Sequence, residues 1–213
     1  MNIALIGASG FIGSALLNEA LERGHQVTAV VTHPERLPQH ENLTPAKADV
    51  MDSEALAKVL AGHDAVISAF SGHAQDDVYG YYIKGVESIL RALESVDAKR
   101  FLIVGGAASL EVAPGKLLFD TPEFPEQYKA TAQGAKAALE LLRGQSEQTW
   151  TMLSPAAEIF PGERTGRFQL GGDQLITDQD GNSRISVQDY AVAMVDELEN
   201  PQHRDQRFTL GYV

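Results

Sequence analysis

A chain of 213 residues without cysteine cannot form disulfides, use a thiolate or ligate zinc through sulfur, and its length suits one large domain. A formal charge of −12 at pH 7, with no long Lys/Arg cluster to offset it, excludes a basic nucleic-acid surface. No run reaches the length of a membrane span, and the apolar start is too short for a secretory leader, so cytoplasm is the expected compartment.

Residues 2–6 are apolar and read as a buried strand running straight into Gly7-Ala8-Ser9-Gly10-Phe11-Ile12-Gly13. Ile12, Ala15, Leu16, Ala20 and Leu21 then recur at helical spacing, with Gly24 where a helix ends. A second strand follows at 26–31. Strand, glycine loop and helix together form a dinucleotide-binding βα unit. Gly7 permits the turn, Gly10 lets a pyrophosphate approach the backbone, and Gly13 lets the helix pack on the sheet. The pyrophosphate meets free N–H groups at the helix N-terminus. Ser9, Phe11 and Ile12 belong to the same loop.

Further along, 43–48 reads as strand three, and Asp52 or Ser53 caps a helix ended by Gly62. Strand four covers 64–70 and a long helix 77–96, which can pack within the chain or across a homodimer. Strand five is 100–104, a helix spans 123–142, and strand six is 149–153. These alternations predict an α/β Rossmann fold, a doubly wound parallel sheet with helices on both faces. Residues 156–185 are glycine-rich and read as loop and short strands, a small substrate-side cap within a single 1–213 domain. Ser186 caps a last helix with Asp189 at its third position, and 207–211 is a final strand.

An acidic residue at the end of strand two reads the NAD ribose, whereas basic residues accept the NADP 2′-phosphate. This chain has Thr32-His33 there with Arg36 nearby, so NADP is favoured over NAD. Asp49 and Val50, after strand three, lie where adenine rests. Phe70 and Ser71 end strand four near the nicotinamide ribose, and Pro155 ends strand six near the nicotinamide amide. The six histidines show no metal-ligand spacing, so no metal is expected.

The glycine loop, Asp49-Val50, Val104-Gly105-Gly106-Ala107-Ala108-Ser109, Leu153-Ser154-Pro155 and Arg184-Ile185-Ser186-Val187-Gln188-Asp189-Tyr190-Ala191 resemble atypical short-chain dehydrogenase/reductases with NmrA-like NAD(P)H-binding domains. Within that group the chain is similar to NADH-flavin reductases of the biliverdin reductase B type. The resemblance covers essentially the whole chain. It implies the fold and the cofactor more specifically than the reaction. The wider superfamily's Tyr-x-x-x-Lys pair is absent: Tyr79, Tyr81, Tyr82, Tyr128 and Tyr190 are followed four residues on by Ile83, Gly85, Val86, Ala132 and Met194. Alcohol and ketone chemistry then lacks its acid. A flavin or quinone-like acceptor needs less help, because its ring delocalises the incoming charge and positioning does most of the catalysis. The expected function is therefore NAD(P)H-dependent hydride transfer to a small-molecule acceptor, with FMN or FAD as candidate substrates.

Ser109 and Tyr128 are the candidate catalytic side chains, and Arg164 and Arg167 candidate contacts to an FMN phosphate. The alternative is a non-catalytic NmrA-like dinucleotide sensor acting through a protein partner. An epimerase-like activity on a nucleotide sugar is disfavoured by the missing pair.

Overall fold

The computed structural model describes residues 1–144 and 148–213. In chain order the elements are β1 (Asn2–Ile6), α1 (Phe11–Glu22), β2 (Gln26–Val31), β3 (Leu43–Lys47), α2 (Ser53–Leu60), β4 (Ala65–Ser68), α3 (Val78–Leu93) and β5 (Arg100–Val104). They continue with β6 (Glu111–Ala113), β7 (Lys116–Leu117), α4 (Lys129–Arg143), β8 (Trp150–Ser154), β9 (Glu158–Phe160), β10 (Gln169–Gly171), β11 (Arg184–Ser186), α5 (Val187–Glu199) and β12 (Gln206–Gly211).

Eight strands form one sheet in the order β10-β12-β8-β5-β4-β1-β2-β3, all parallel except β10, which pairs antiparallel at the edge. The run from β1 reverses direction between β1 and β4, and ligands of such sheets bind beyond the carboxyl ends of the strands at that reversal.

β1 shows why the sheet is covered on both faces. Ile3 and Leu5 point into a core with α1 and α5, whereas Ala4 and Ile6 point into a second core with α2, α3 and α4. A strand buried on both sides must be apolar throughout, which is what its sequence shows. In the long helix, Val86, Ile89 and Leu93 of α3 are buried within the chain.

Several sequence-based boundaries move. The helix expected at 123–142 begins at Lys129, because Pro122 and Pro125 disfavour helix before them and Glu126–Tyr128 forms only a 3₁₀ turn. The strand expected at 64–70 shortens to Ala65–Ser68, and the helix expected at 77–96 runs from Val78 to Leu93. Asp52, not Ser53, caps α2, its carboxylate accepting from the Ala55 N–H at 3.0 Å. The β6–β7 hairpin has no counterpart in the sequence reading. Of the short strands in 156–185, β10 joins the main sheet and β9 pairs in parallel with β11. Among the described residues no helix is long and apolar enough to cross a membrane.

Candidate functional site

A cleft of about 880 Å³ opens at the carboxyl ends of β1, β4, β5 and β8. One half of it is built by the glycine loop. Gly7 takes φ +77°, and a Cβ there would stand 2.7 Å from the Ala69 carbonyl oxygen. A Cβ on Gly13 would stand 1.9 Å from the Gly7 oxygen. Both glycines are therefore demanded by the fold. Gly10 is different: its only neighbour within reach of a Cβ is the Gly7 oxygen at 3.5 Å, ordinary contact. Nothing inside the protein requires glycine at this position, and the open space lies on the cleft wall.

Helix α1 starts there without a side-chain cap, whereas α2, α3 and α5 are capped by Asp52, Asp77 and Ser186. Its first-turn N–H groups have no intrahelical acceptor, and Gly10, Phe11, Ile12 and Gly13 line the cleft. An uncapped helix start beside an open glycine is a fitting seat for a pyrophosphate. Ser9 is exposed on the same loop.

At the ribose end, Thr32, His33 and Arg36 are all exposed beyond β2. His33 Nδ1 lies 3.1 Å from Glu35 Oε1, so a carboxylate sits among the three residues proposed to read the ribose. Asp49 is exposed and shapes the turn after β3: its Oδ1 accepts from the Met51 N–H at 2.9 Å, and it does not cap α2. Val50 beside it is buried in the α2–α3 core.

The other half of the cleft is apolar. Phe70 stacks on Tyr82 with ring planes 7° apart and meets Tyr81 tilted at 38°, 5.6 Å between centroids. Ala107, Ala108, Leu118, Phe124, Ala132 and Ala135 continue the wall, and Pro155, buried at the end of β8, forms part of it. Ser71, His73 and Tyr128 stand at the rim, and Tyr128 is 55% exposed. Glu158 and Arg184 close the far side as an ion pair at 2.9 Å, with the guanidinium over the Phe160 ring.

The model of the family described as NAD(P)H-binding matches residues 7–201. The chain belongs to that family. Its motifs place it with the atypical short-chain dehydrogenase/reductases, and its sheet is the Rossmann sheet of the group. Similar solved structures include a Bacteroides thetaiotaomicron protein provisionally named an epimerase, 48% identical, covering 100% of this chain and 97% of that one, with a TM-score of 0.93. A Burkholderia pseudomallei protein provisionally named as exported is 42% identical over 100% of both chains, TM-score 0.90. A Streptococcus pneumoniae protein provisionally named an NADH-flavin reductase is 38% identical over 100% of both chains, TM-score 0.89. These names differ in activity and location, whereas NAD(P)H binding is what the family's description gives.

Three candidates for the acceptor site fall outside the cleft. Ser109 does not line it; its Oγ accepts from Arg207 Nη1 at 2.9 Å and its carbonyl from Nη2 at 3.2 Å. Arg207 is buried and also bonds Asp173 at 2.7 and 2.8 Å, so this serine serves to hold a buried arginine. Arg164 donates two hydrogen bonds of 2.8 Å to the Glu19 carboxylate and reaches no acceptor site; Arg167 does not line the cleft either. The sequence reading missed Tyr82, which stands on the apolar face of α3 and looks there like any core aromatic.

Proposed function

We propose that this family member is an NAD(P)H-dependent reductase that passes hydride to a free flavin or quinone-like acceptor. The observation that carries the reading is the junction of two unlike halves in one cleft. A phosphate cradle at Gly10–Gly13 leads into an apolar, aromatic-walled chamber with no Tyr–Lys acid pair. When bound, the reduced nicotinamide supplies the hydride. The chain's own residues hold the phosphates at α1, exclude water with Phe70, Leu118, Phe124 and Pro155, and align a flat acceptor. An epimerase-like activity is disfavoured by the missing Tyr-x-x-x-Lys pair, which would supply its acid–base chemistry. The missing pair also suits a dinucleotide sensor, which would bind without turning over.

NADPH is the favoured donor, with Arg36 reading the 2′-phosphate through a charge-assisted contact. A reaction fed by reduced dinucleotide fits a cytoplasmic location, whereas the Burkholderia relative is named as exported.

The test is oxidation of NADPH and NADH by the purified protein with riboflavin, FMN or menadione. Turnover well above the protein-free rate supports the reductase; binding without turnover supports the sensor. Arg36→Ala should weaken NADPH by roughly ten-fold while leaving NADH unchanged. An equal loss for both would remove Arg36 from that role.

A further inference from the structure

The Tyr82 hydroxyl is a polar group that the fold leaves unexplained. Tyr82 is 9% exposed and lines the cleft. Among the described residues, the side-chain polar atoms sealed from solvent without a partner are Ser88 Oγ and Arg100 Nε. The Tyr82 oxygen is not one of them. Among the described residues no hydrogen bond from the chain reaches this hydroxyl, which is therefore unpartnered yet open to the cleft, and burial raises its pKa.

The surroundings are arranged for this ring. A Cβ on Gly134 of α4 would stand 2.9 Å from the Tyr82 Cδ1, and a Cβ on Gly85 of α3 would stand 2.1 Å from the Phe70 Cε1. Two helices carry glycine in their interiors where the two stacked rings lie, at about 1 kcal/mol of helix stability each. A Phe ring would fill the same stack, so the packing gives no use to the hydroxyl.

We propose that Tyr82 donates a hydrogen bond from its hydroxyl to a carbonyl oxygen of the planar acceptor. This deepens the reductase reading and rests on it. It narrows the acceptor to a flat conjugated ring carrying a carbonyl at one edge. As hydride and its two electrons reach the acceptor, negative charge develops on that oxygen, and the Tyr82 hydrogen bond stabilises it there. Tyr82 keeps its proton, and water supplies the proton that completes the reduced acceptor. Burial, which holds the phenol protonated, suits a group that donates without ionising.

Tyr82→Phe tests this, since it removes one oxygen and keeps the stack. Riboflavin is titrated into protein saturated with NADP⁺, which cannot reduce it, and binding is read from flavin fluorescence. The variant should bind riboflavin about five-fold more weakly, bind NADP⁺ as the native protein does, and reduce riboflavin about ten-fold more slowly. Riboflavin binding and turnover equal to the native protein overturn the proposal. So does a loss of NADP⁺ affinity that accounts for the whole effect. If the native protein binds dinucleotide but neither binds nor reduces riboflavin or menadione, the reductase reading fails and takes this one with it. An active native protein with an unaffected variant overturns this inference alone.

Discussion

Gly10 and Gly13 stand three residues apart, yet they answer to different demands. A methyl on Gly13 would run into the Gly7 backbone at 1.9 Å, where neither helix nor strand can give way. Gly13→Ala should therefore destabilise the fold by about 3 kcal/mol or more, read by denaturant titration. A methyl on Gly10 meets nothing inside the protein closer than 3.5 Å. Gly10→Ala should keep the native melting temperature and weaken NADPH at least ten-fold, because the methyl occupies the pyrophosphate's approach. A Gly10→Ala protein with native NADPH affinity would show that the phosphate lies elsewhere. The spacing assigns Gly10 to the ligand and Gly7 and Gly13 to the fold, but the sequence does not show that nothing inside the protein demands glycine at position 10. That depends on what a Cβ would touch across the loop. Ser109 was misread for a related reason. A serine after a strand looks the same whether it faces a cleft or an arginine 98 residues away.

At the scale of elements, the turns and caps that rest on local chemistry could be read directly. Ser186 caps α5 by accepting from the Asp189 N–H at 3.0 Å, as its spacing implies. The long-range duty of Asp189 could not be read. Its carboxylate accepts from the N–H groups of Thr165 and Gly166 at 2.8 Å and from the hydroxyls of Thr165 and Tyr212 at 2.6 Å. Together with the Arg164 fork on Glu19, it straps the 161–167 segment to α1 and α5. The Arg164 hydrogen bond is the main cause that holds the Glu19 carboxyl below its ordinary range; burial opposes it and Arg23 adds to it. Burial pushes Asp189 up, but its several hydrogen bonds outweigh that and hold it low.

A carboxyl depressed in the folded state stabilises it fully above the unfolded pKa and ceases to do so as pH falls through the folded one. Glu19→Gln should therefore cost about 2 kcal/mol at neutral pH, with the gap from the native protein closing as pH falls below the carboxylate range. Thermal melts across that range measure it; a gap that widens in acid would contradict the assignment. Limited proteolysis should find 161–167 cut faster in Asp189→Asn, with the rest of the chain intact. The late start of α4 belongs to this scale too. Helical periodicity ran through Glu123–Tyr128, and the two prolines decided the boundary.

For the whole molecule, the alternation of strands and helices fixed the sheet, and the sheet order fixed where the cleft must be. Short strands in 156–185 were expected, but not the antiparallel seat of β10 at the sheet edge or the β9–β11 pair, since three-residue strands carry no period that assigns a partner. Charge acts at this scale as well. The molecule carries −12, and the charged residues lining the cleft are Glu123 and the Glu158–Arg184 pair, whose cation is already taken. An acceptor bearing a phosphate gains nothing there and is repelled on approach. Riboflavin should accordingly have a kcat/KM a few-fold above FMN at low ionic strength, the ratio shrinking as salt screens the field. A preference for FMN that salt abolishes would mean a cationic phosphate site in the acceptor half.

The central claim, that one cleft joins a dinucleotide cradle to a flat-acceptor chamber for direct hydride transfer, is tested most directly by anaerobic single turnover. NADPH-loaded protein is mixed with riboflavin, and flavin bleaching is followed with NADPH carrying hydrogen or deuterium at the transferring carbon. The account predicts bleaching far faster than without protein, slowed several-fold by deuterium. Tight NADPH binding with bleaching no faster than in its absence would contradict it and leave a dinucleotide sensor in its place.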